Sequence, residues 1–198
     1  MARSDDLYAV PAALPVPQDD GACAHLPGRR WPAVSLRSTR DRRVDLSTID
    51  ANWLVVYCYP RTGVPDREAL GGTAAWNAIP GARGCTPQSC AYRDHYAELQ
   101  ALGAEVFGLS TQDTEYQQEA AARLHLPFEL LSDASLELTR ALALPTFVVE
   151  GQTLLRRLTL IGRRGRIETC FYPVFPPDAD ADNVVRYLRE HAAPGAKV

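Results

Sequence analysis

The run Trp53-Leu-Val-Val-Tyr-Cys-Tyr59, closed by Pro60, constrains this fold more than any other stretch. A strand that faces water on one side alternates polar with apolar residues, and this one does not. It therefore suits a strand buried on both faces, at the centre of a sheet covered by helices. The chain can bury such a strand in one domain, since it has 198 residues, 46% of them hydrophobic. Its formal charge of -3, with no basic face, argues against a nucleic-acid partner. No apolar run reaches the ~18 residues of a membrane span, so no membrane association is expected. Lys197 is the only lysine, and the dominance of Arg reads as composition rather than as selection for phosphate.

Around that strand the chain divides by composition. Residues 1–30 carry Pro11, Pro15, Pro17 and Pro27 without a helix or strand period and read as an extended arm. The body is expected over 31–192, with a tail at 193–198. Residues 60–84 hold Pro60, Gly63, Pro65, Gly71, Gly72, Pro80, Gly81 and Gly84 and read as a long inserted loop. A helix is predicted from Cys85 to Leu102, with Tyr92, Tyr96, Leu99 and Leu102 on one face and Gly103 as its stop. A strand at 105–109 follows, then a helix opened by a capping box at Thr114 and Gln117 and running to His125. Phe128–Leu131 reads as a strand, and Asp133 as the cap of a helix to Ala143. Strands at 154–161 and 166–172 join at the Gly162–Gly165 turn, and Asp180 and Asp182 open a last helix to His191. The order β-α-β-α-β-α-β-β-α predicts an α/β fold with a central mixed sheet and helices on both faces, which is the thioredoxin-like order. In such sheets a site lies beyond the carboxyl ends of the parallel strands, and Cys85 falls there.

Cys23, Cys58, Cys85, Cys90 and Cys170 are odd in number and do not make a disulfide scaffold in a chain this long. Zinc is a poor explanation, because Cys85-x4-Cys90 lacks a second pair and the four His are scattered. With acids at positions 5 and 6, where a signal peptide needs an apolar core, the expected compartment is the cytoplasm. Cys58 and Cys170 read as small buried hydrophobes on strands. Cys23 reads as incidental, or as an alternative resolving thiol. His95, Arg93 and Arg156 read as surface or packing residues.

The run Gly84-Cys-Thr-Pro-Gln-Ser-Cys-Ala-Tyr-Arg-Asp-His-Tyr-Ala-Glu-Leu99, with Leu102-Gly-Ala-Glu-Val-Phe-Gly-Leu-Ser110, resembles a peroxiredoxin of the Q type. That type is also called bacterioferritin comigratory protein. The resemblance covers roughly 32–190 and includes Tyr59-Pro60. It implies a thioredoxin-like thiol peroxidase without a cofactor, monomeric or homodimeric, acting on hydrogen peroxide or organic hydroperoxides. Cys85 would be the peroxidatic thiol and Cys90 the resolving one, with a thioredoxin-like dithiol as reductant. Arg157, in Arg157-Leu-Thr-Leu-Ile161, corresponds to the family's Arg that holds thiolate and peroxide. A rival register uses Leu144-Pro-Thr-Phe147, which resembles the cis-proline segment of thioredoxins. The family hydroxyl three residues before the peroxidatic Cys is replaced by Ala82, and Thr62 is the candidate to fold back and supply it.

The chemistry explains why such a site needs more than a thiol. Depressing a thiol pKa from ~8.5 to ~6 gains about thirtyfold in thiolate at neutral pH. The accompanying loss of nucleophilicity costs about tenfold. The remainder of a typical enzymatic acceleration, at least ~10⁶, must come from groups that act on the transition state. Backbone N–H groups at a helix start, a guanidinium and a hydroxyl are suited to that work. On an ideal helix, residues five apart place their Cα atoms ~8.7 Å apart, beyond the ~7 Å limit for a disulfide. The first turns must unwind before Cys85 and Cys90 can pair, and Pro87 eases this by removing an N–H that has no intrahelical partner. Two other readings stay open at this point: a thioredoxin-type disulfide oxidoreductase, against which the absence of Cys-x-x-Cys counts, and a noncatalytic redox-sensing module.

Overall fold

The computed structural model describes residues 6–192, so positions 1–5 of the arm and the 193–198 tail lie outside the described residues. The central strand, β3 (Trp53–Cys58), is buried at all of its positions. It has parallel β4 (Ala104–Ser110) on one side and antiparallel β8 (Leu158–Arg163) on the other. β5 (Glu129–Ser132) continues the parallel part beyond β4, and β9 (Arg166–Phe171) closes the far edge as a hairpin with β8. The mixed sheet and the terminal hairpin therefore match the order expected from the sequence.

Alternation along β3 divides the core in two. Trp53, Val55, Tyr57 and Tyr59 face one layer, made by α2 (Cys85–Asp94), α3 (Tyr96–Ala101), α4 (Thr114–Arg123) and α6 (Asp180–Glu190). Leu54, Val56 and Cys58 face the other, where Leu138 and Leu142 of α5 (Glu137–Leu142) pack beside Cys23, Leu26 and Trp31 from the N-terminal arm. One face is thus roofed by helices and the other by one short helix plus the arm. Leu26 is fully buried, so the arm completes the core instead of trailing from it.

Several elements differ from the expected ones. β1 (Ser35–Ser38) and β2 (Arg43–Asp45) form an edge hairpin that adds antiparallel to β5, although their short polar sequences carry no strand run. The long 60–84 connection is not wholly irregular, since it holds α1 (Thr73–Ala78), whose Trp76 is buried beside Leu154 and Ala82. The expected 85–102 helix is divided at His95, whose φ of -92° and ψ of 2° leave the helical range, with His95 Nδ1 meeting Glu98 Oε2 at 3.1 Å. The cap of α4 is Asp113 and not Thr114, because the Asp113 carboxylate accepts from the Tyr116 N–H at 2.7 Å; Gln117 turns inward to donate to the Leu131 carbonyl. Asp133 does tie down the front of α5, accepting from the N–H groups of Leu138 and Thr139.

The expected strand at 154–161 is two strands. β6 (Thr146–Val149) and β7 (Gln152–Leu155) pair as a separate hairpin, and the chain breaks at 156–157 before entering β8. Arg156 N–H donates to the Pro145 carbonyl in that break. Arg157 therefore stands at a corner between two sheets, and this corner aims it across the molecule.

Candidate active site

Cys85 is the first residue of α2, reached from β3 through the long connection that holds α1, and it packs in the same core layer as Tyr57 and Tyr59 of the central segment. Gly84 precedes it with φ 103°, in the left-handed region, and any Cβ there would collide with the Pro177 ring. Glycine is thus required for the sharp entry that seats the cysteine against the 3-10 turn at 177–179. The first N–H groups of the helix have no intrahelical acceptor, so the thiol sits at the positive end of a helix dipole.

Arg157 Nη2 donates to Cys85 Sγ at 3.2 Å and also to the carbonyls of Ala82 and Arg83, at 3.2 and 3.1 Å. Its Nη1 donates to Gln88 Oε1. The guanidinium is 3% exposed, so its charge is desolvated beside the sulfur. The Cys85 thiol donates to the Ala82 carbonyl at 3.5 Å, so position 82 contributes its backbone where the expected motif has a hydroxyl. Arg157, and not the 144–147 segment of the rival register, is what meets Cys85.

The polar chain continues behind the arginine. Gln88 Nε2 donates to Asp180 Oδ2 at 2.8 Å, and the same oxygen accepts from Thr159 Oγ1 at 2.7 Å and the Tyr92 hydroxyl at 2.9 Å. Burial pushes the Asp180 carboxyl above its usual range, against the pull of these donors and of Arg157. Burial also raises the Tyr92 phenol, with Asp180 adding to the effect. Asp180, an acid at a helix start in the sequence, is a buried hub, and Gln88 is its partner on α2. A partial signal existed, since Gln88 and Tyr92 lie four apart on one face of α2.

A cavity of about 130 Å³ opens in front of the sulfur, lined by Thr62, Arg83, Thr86, Trp76 and Tyr116 among others. Leu7, from the start of the described arm, closes part of it. Thr62 does fold back to this wall, but its hydroxyl donates to Gln112 Oε1 at 3.2 Å, so that proton is committed away from Cys85. Thr86, a hydroxyl residue adjacent to the cysteine, is buried in the same wall.

Cys90 lies in the same unbroken helix and is half-buried. Burial raises its thiol pKa, partly offset by Arg93. Cys58 sits in the opposite core layer, and Cys23 and Cys170 accompany it there. Among the described residues no group of three His, Cys, Asp or Glu is placed to hold a metal ion, and no helix is long and apolar enough to cross a membrane.

A thioredoxin-like sheet with a cysteine at the first turn of α2, faced by a buried guanidinium, defines a thiol oxidoreductase. More particularly, the chain belongs to the redoxin family, whose profile matches residues 26–186. It is 26% identical to the chloroplastic peroxiredoxin Q of Gentiana triflora over 188 residues, 92% of this chain and 78% of that one. The peroxidoxin BcpB of Mycobacterium tuberculosis superposes with a TM-score of 0.69 at 21% identity, covering 85% of this chain and all 100% of the other. A bacterioferritin comigratory protein of Xanthomonas campestris, described for its alkyl peroxide reduction activity, gives a TM-score of 0.62 at 20% identity over 92% of this chain and 100% of its own. The resemblance to Q-type peroxiredoxins noted from the Cys85 run agrees with these relatives.

Proposed function

We propose that the protein is a thiol peroxidase that reduces hydrogen peroxide or organic hydroperoxides through Cys85. The observation that carries this reading is the 3.2 Å contact between Arg157 Nη2 and Cys85 Sγ at a helix start beside an open cavity. The Cys85 thiolate attacks one peroxide oxygen, the O–O bond breaks, and the departing alkoxide or hydroxide takes a proton. Arg157 and the free N–H groups of the first turn of α2 stabilise charge on the oxygens as it develops. Thr86, and the Thr62 hydroxyl as an acceptor, offer polar contact to the peroxide.

The product is a sulfenic acid on Cys85. Cys90 then attacks that sulfur and expels water, forming an intramolecular disulfide. Because both residues sit in one helix, α2 must unwind, breaking the bonds of Gln88 to Arg157 and Asp180. A thioredoxin-like dithiol supplies two electrons to restore the pair. The site is assembled from one chain, so a monomer suffices. The cytoplasm, a reducing compartment, suits this cycle.

A peroxide-consumption assay coupled to a thioredoxin system tests the reading. Wild type should turn over; Cys85→Ser should not. Cys90→Ser should complete the first turnover, stop at sulfenic acid and overoxidise at high peroxide. Sustained turnover by Cys85→Ser would overturn the mechanism, and sustained recycling by Cys90→Ser would move resolution to another thiol.

A further inference from the structure

We infer that Cys23 and Cys170 form a second dithiol/disulfide pair, on the opposite side of the sheet from Cys85 and Cys90, that fastens the N-terminal arm to β9. Cys170 stands opposite Leu160 on the β8–β9 ladder and shares the layer that contains Cys58 and Cys23. The arm is held over that point by a short-range lattice of bonds. The Gly28 N–H donates to the Ile167 carbonyl at 2.7 Å, the Ile167 N–H donates to the Arg29 carbonyl at 2.8 Å, and the Tyr172 hydroxyl donates to the Asp20 carboxylate at 3.0 Å. Between these anchors a turn is closed by Leu26 N–H on the Cys23 carbonyl, and the Cys23 side chain packs in the same core layer as Cys170. The Cys23 thiol is near enough to Cys170 to push its thiol up.

The third cysteine of this layer does not compete. Cys58 is fully buried on β3, with β8 between it and β9. Cys170 is partly exposed, so an oxidant reaches the pair from its side. With a small-molecule disulfide as oxidant, the Cys170 thiolate attacks one of its sulfurs, expelling one thiolate and leaving a mixed disulfide. The Cys23 thiolate then attacks the Cys170 sulfur and expels the second. Two electrons pass to the oxidant, and the two protons end on the two released thiols. The neighbouring Cys23 thiol, together with burial, pushes the Cys170 thiol up, so Cys170 reacts slowly and stays reduced through brief oxidation.

The staple has a consequence beyond its own position. From Cys23 the arm passes Pro17, which lies against Gly81, and reaches Leu7 in the wall of the Cys85 cavity, where the Asp6 carbonyl accepts from Arg83. Fixing Cys23 therefore anchors the root of the strap that crosses the peroxide site. This inference does not rest on the peroxidase reading.

Oxidised glutathione is the probe. Wild type and the Cys85→Ser/Cys90→Ser variant are incubated with it, alkylated and mapped by mass spectrometry, with Cys23→Ser as control. A peptide linking 23 to 170 should appear in both, lighter by two hydrogens than the reduced pair. Cys23→Ser should instead stop at a Cys170–glutathione mixed disulfide. The linked variant should melt on the order of 5–10 °C higher than its reduced form, because the closed loop is long. Mixed disulfide at Cys170 without the link in the parent proteins, or no reaction at either cysteine, would overturn the inference.

Discussion

Cys85 and Cys58 are almost equally remote from solvent, 3% and 0% exposed, and differ in what faces the sulfur. Cys58 looks into a layer of Leu, Val and Trp side chains, where burial pushes its thiol well above the ordinary range and the Cys23 thiol adds to the effect. Cys85 meets a guanidinium at 3.2 Å, a helix start and an opening to a cavity. A desolvated cation and the N–H groups of a helix start aim donors at an incoming oxygen, which a wall of apolar side chains cannot do. Equal depth with different surroundings puts the distinction between the two sulfurs in the wall opposite each one, and the proposed mechanism draws on that wall.

The largest expected effect separates the two thiols outright. Cys85→Ser should reduce peroxide consumption to the uncatalysed background, whereas Cys58→Ser should keep full turnover. The latter should lose only ~1–3 kcal/mol of stability in a denaturant titration, from a hydroxyl left in an apolar layer. If both variants lost activity while folded, the contrast would fail.

Removing the wall rather than the sulfur should give the next effect. Arg157→Ala is expected to lower the second-order rate with peroxide by on the order of 10²-fold, since a desolvated donor to the transition state contributes ~2–4 kcal/mol. Stopped-flow measurement with the fold checked by circular dichroism decides this. An unchanged rate would leave Cys85 no better equipped than Cys58.

Asp180 sharpens the same contrast from behind the arginine. Asp180→Asn weakens the acceptor that orients Gln88, and Gln88 in turn holds Arg157, so a rate loss of about tenfold is expected. Its effect on stability has a definite sign. Because burial raises the folded-state pKa above 3.8, the protonated form is favoured by folding. Stability from this group is present at acid pH and is lost as pH rises from about 4 through the folded value. The Asn variant should lack that decline when denaturant midpoints are followed against pH. A wild-type profile parallel to that of the variant would place Asp180 outside the titrating groups.

Glu129 gives the smallest and opposite effect. It too is desolvated, but bonds from Arg42 and Ser38 bring its pKa below 4.5. Its stabilisation is therefore present above that value and is lost as pH falls. Glu129→Gln should remove a loss of stability toward acid pH, whereas Asp180→Asn should remove a loss of stability toward higher pH. Matching signs in the two variants would contradict the assignment.

What could be read from the chain follows from the range of the forces involved. The continuous apolar run at 53–59 and the Gly84–Leu99 run are local, and they located the central strand, the parallel frame and the cysteine that opens α2. β1 and β2 escaped because strands of four and three residues at a polar edge, with Arg37 and Arg43 outward, carry almost no period. The break at 156–157 escaped because the residues around it are as apolar as those of a single strand; it moved Arg157 off the strand but kept it opposite Cys85. Asp180 was legible only as a helix-opening acid, since its contacts with Gln88 join positions 92 residues apart. Thr62 lines the cavity wall, but no local pattern could reveal that Gln112 takes the proton of the hydroxyl it was expected to supply.

The central claim is that the wall around Cys85, and not burial or exposure, selects it for peroxide. The most direct measurement is a single-turnover exposure of Cys90→Ser to one equivalent of hydrogen peroxide in the presence of a sulfenic-acid-selective carbon nucleophile, followed by peptide mapping. The account predicts the label on Cys85, near stoichiometric, with Cys23, Cys58 and Cys170 unmodified, and predicts that Arg157→Ala in the same background labels slowly at the same residue. Label distributed over the partly exposed Cys170, or equal rates with and without Arg157, would contradict it.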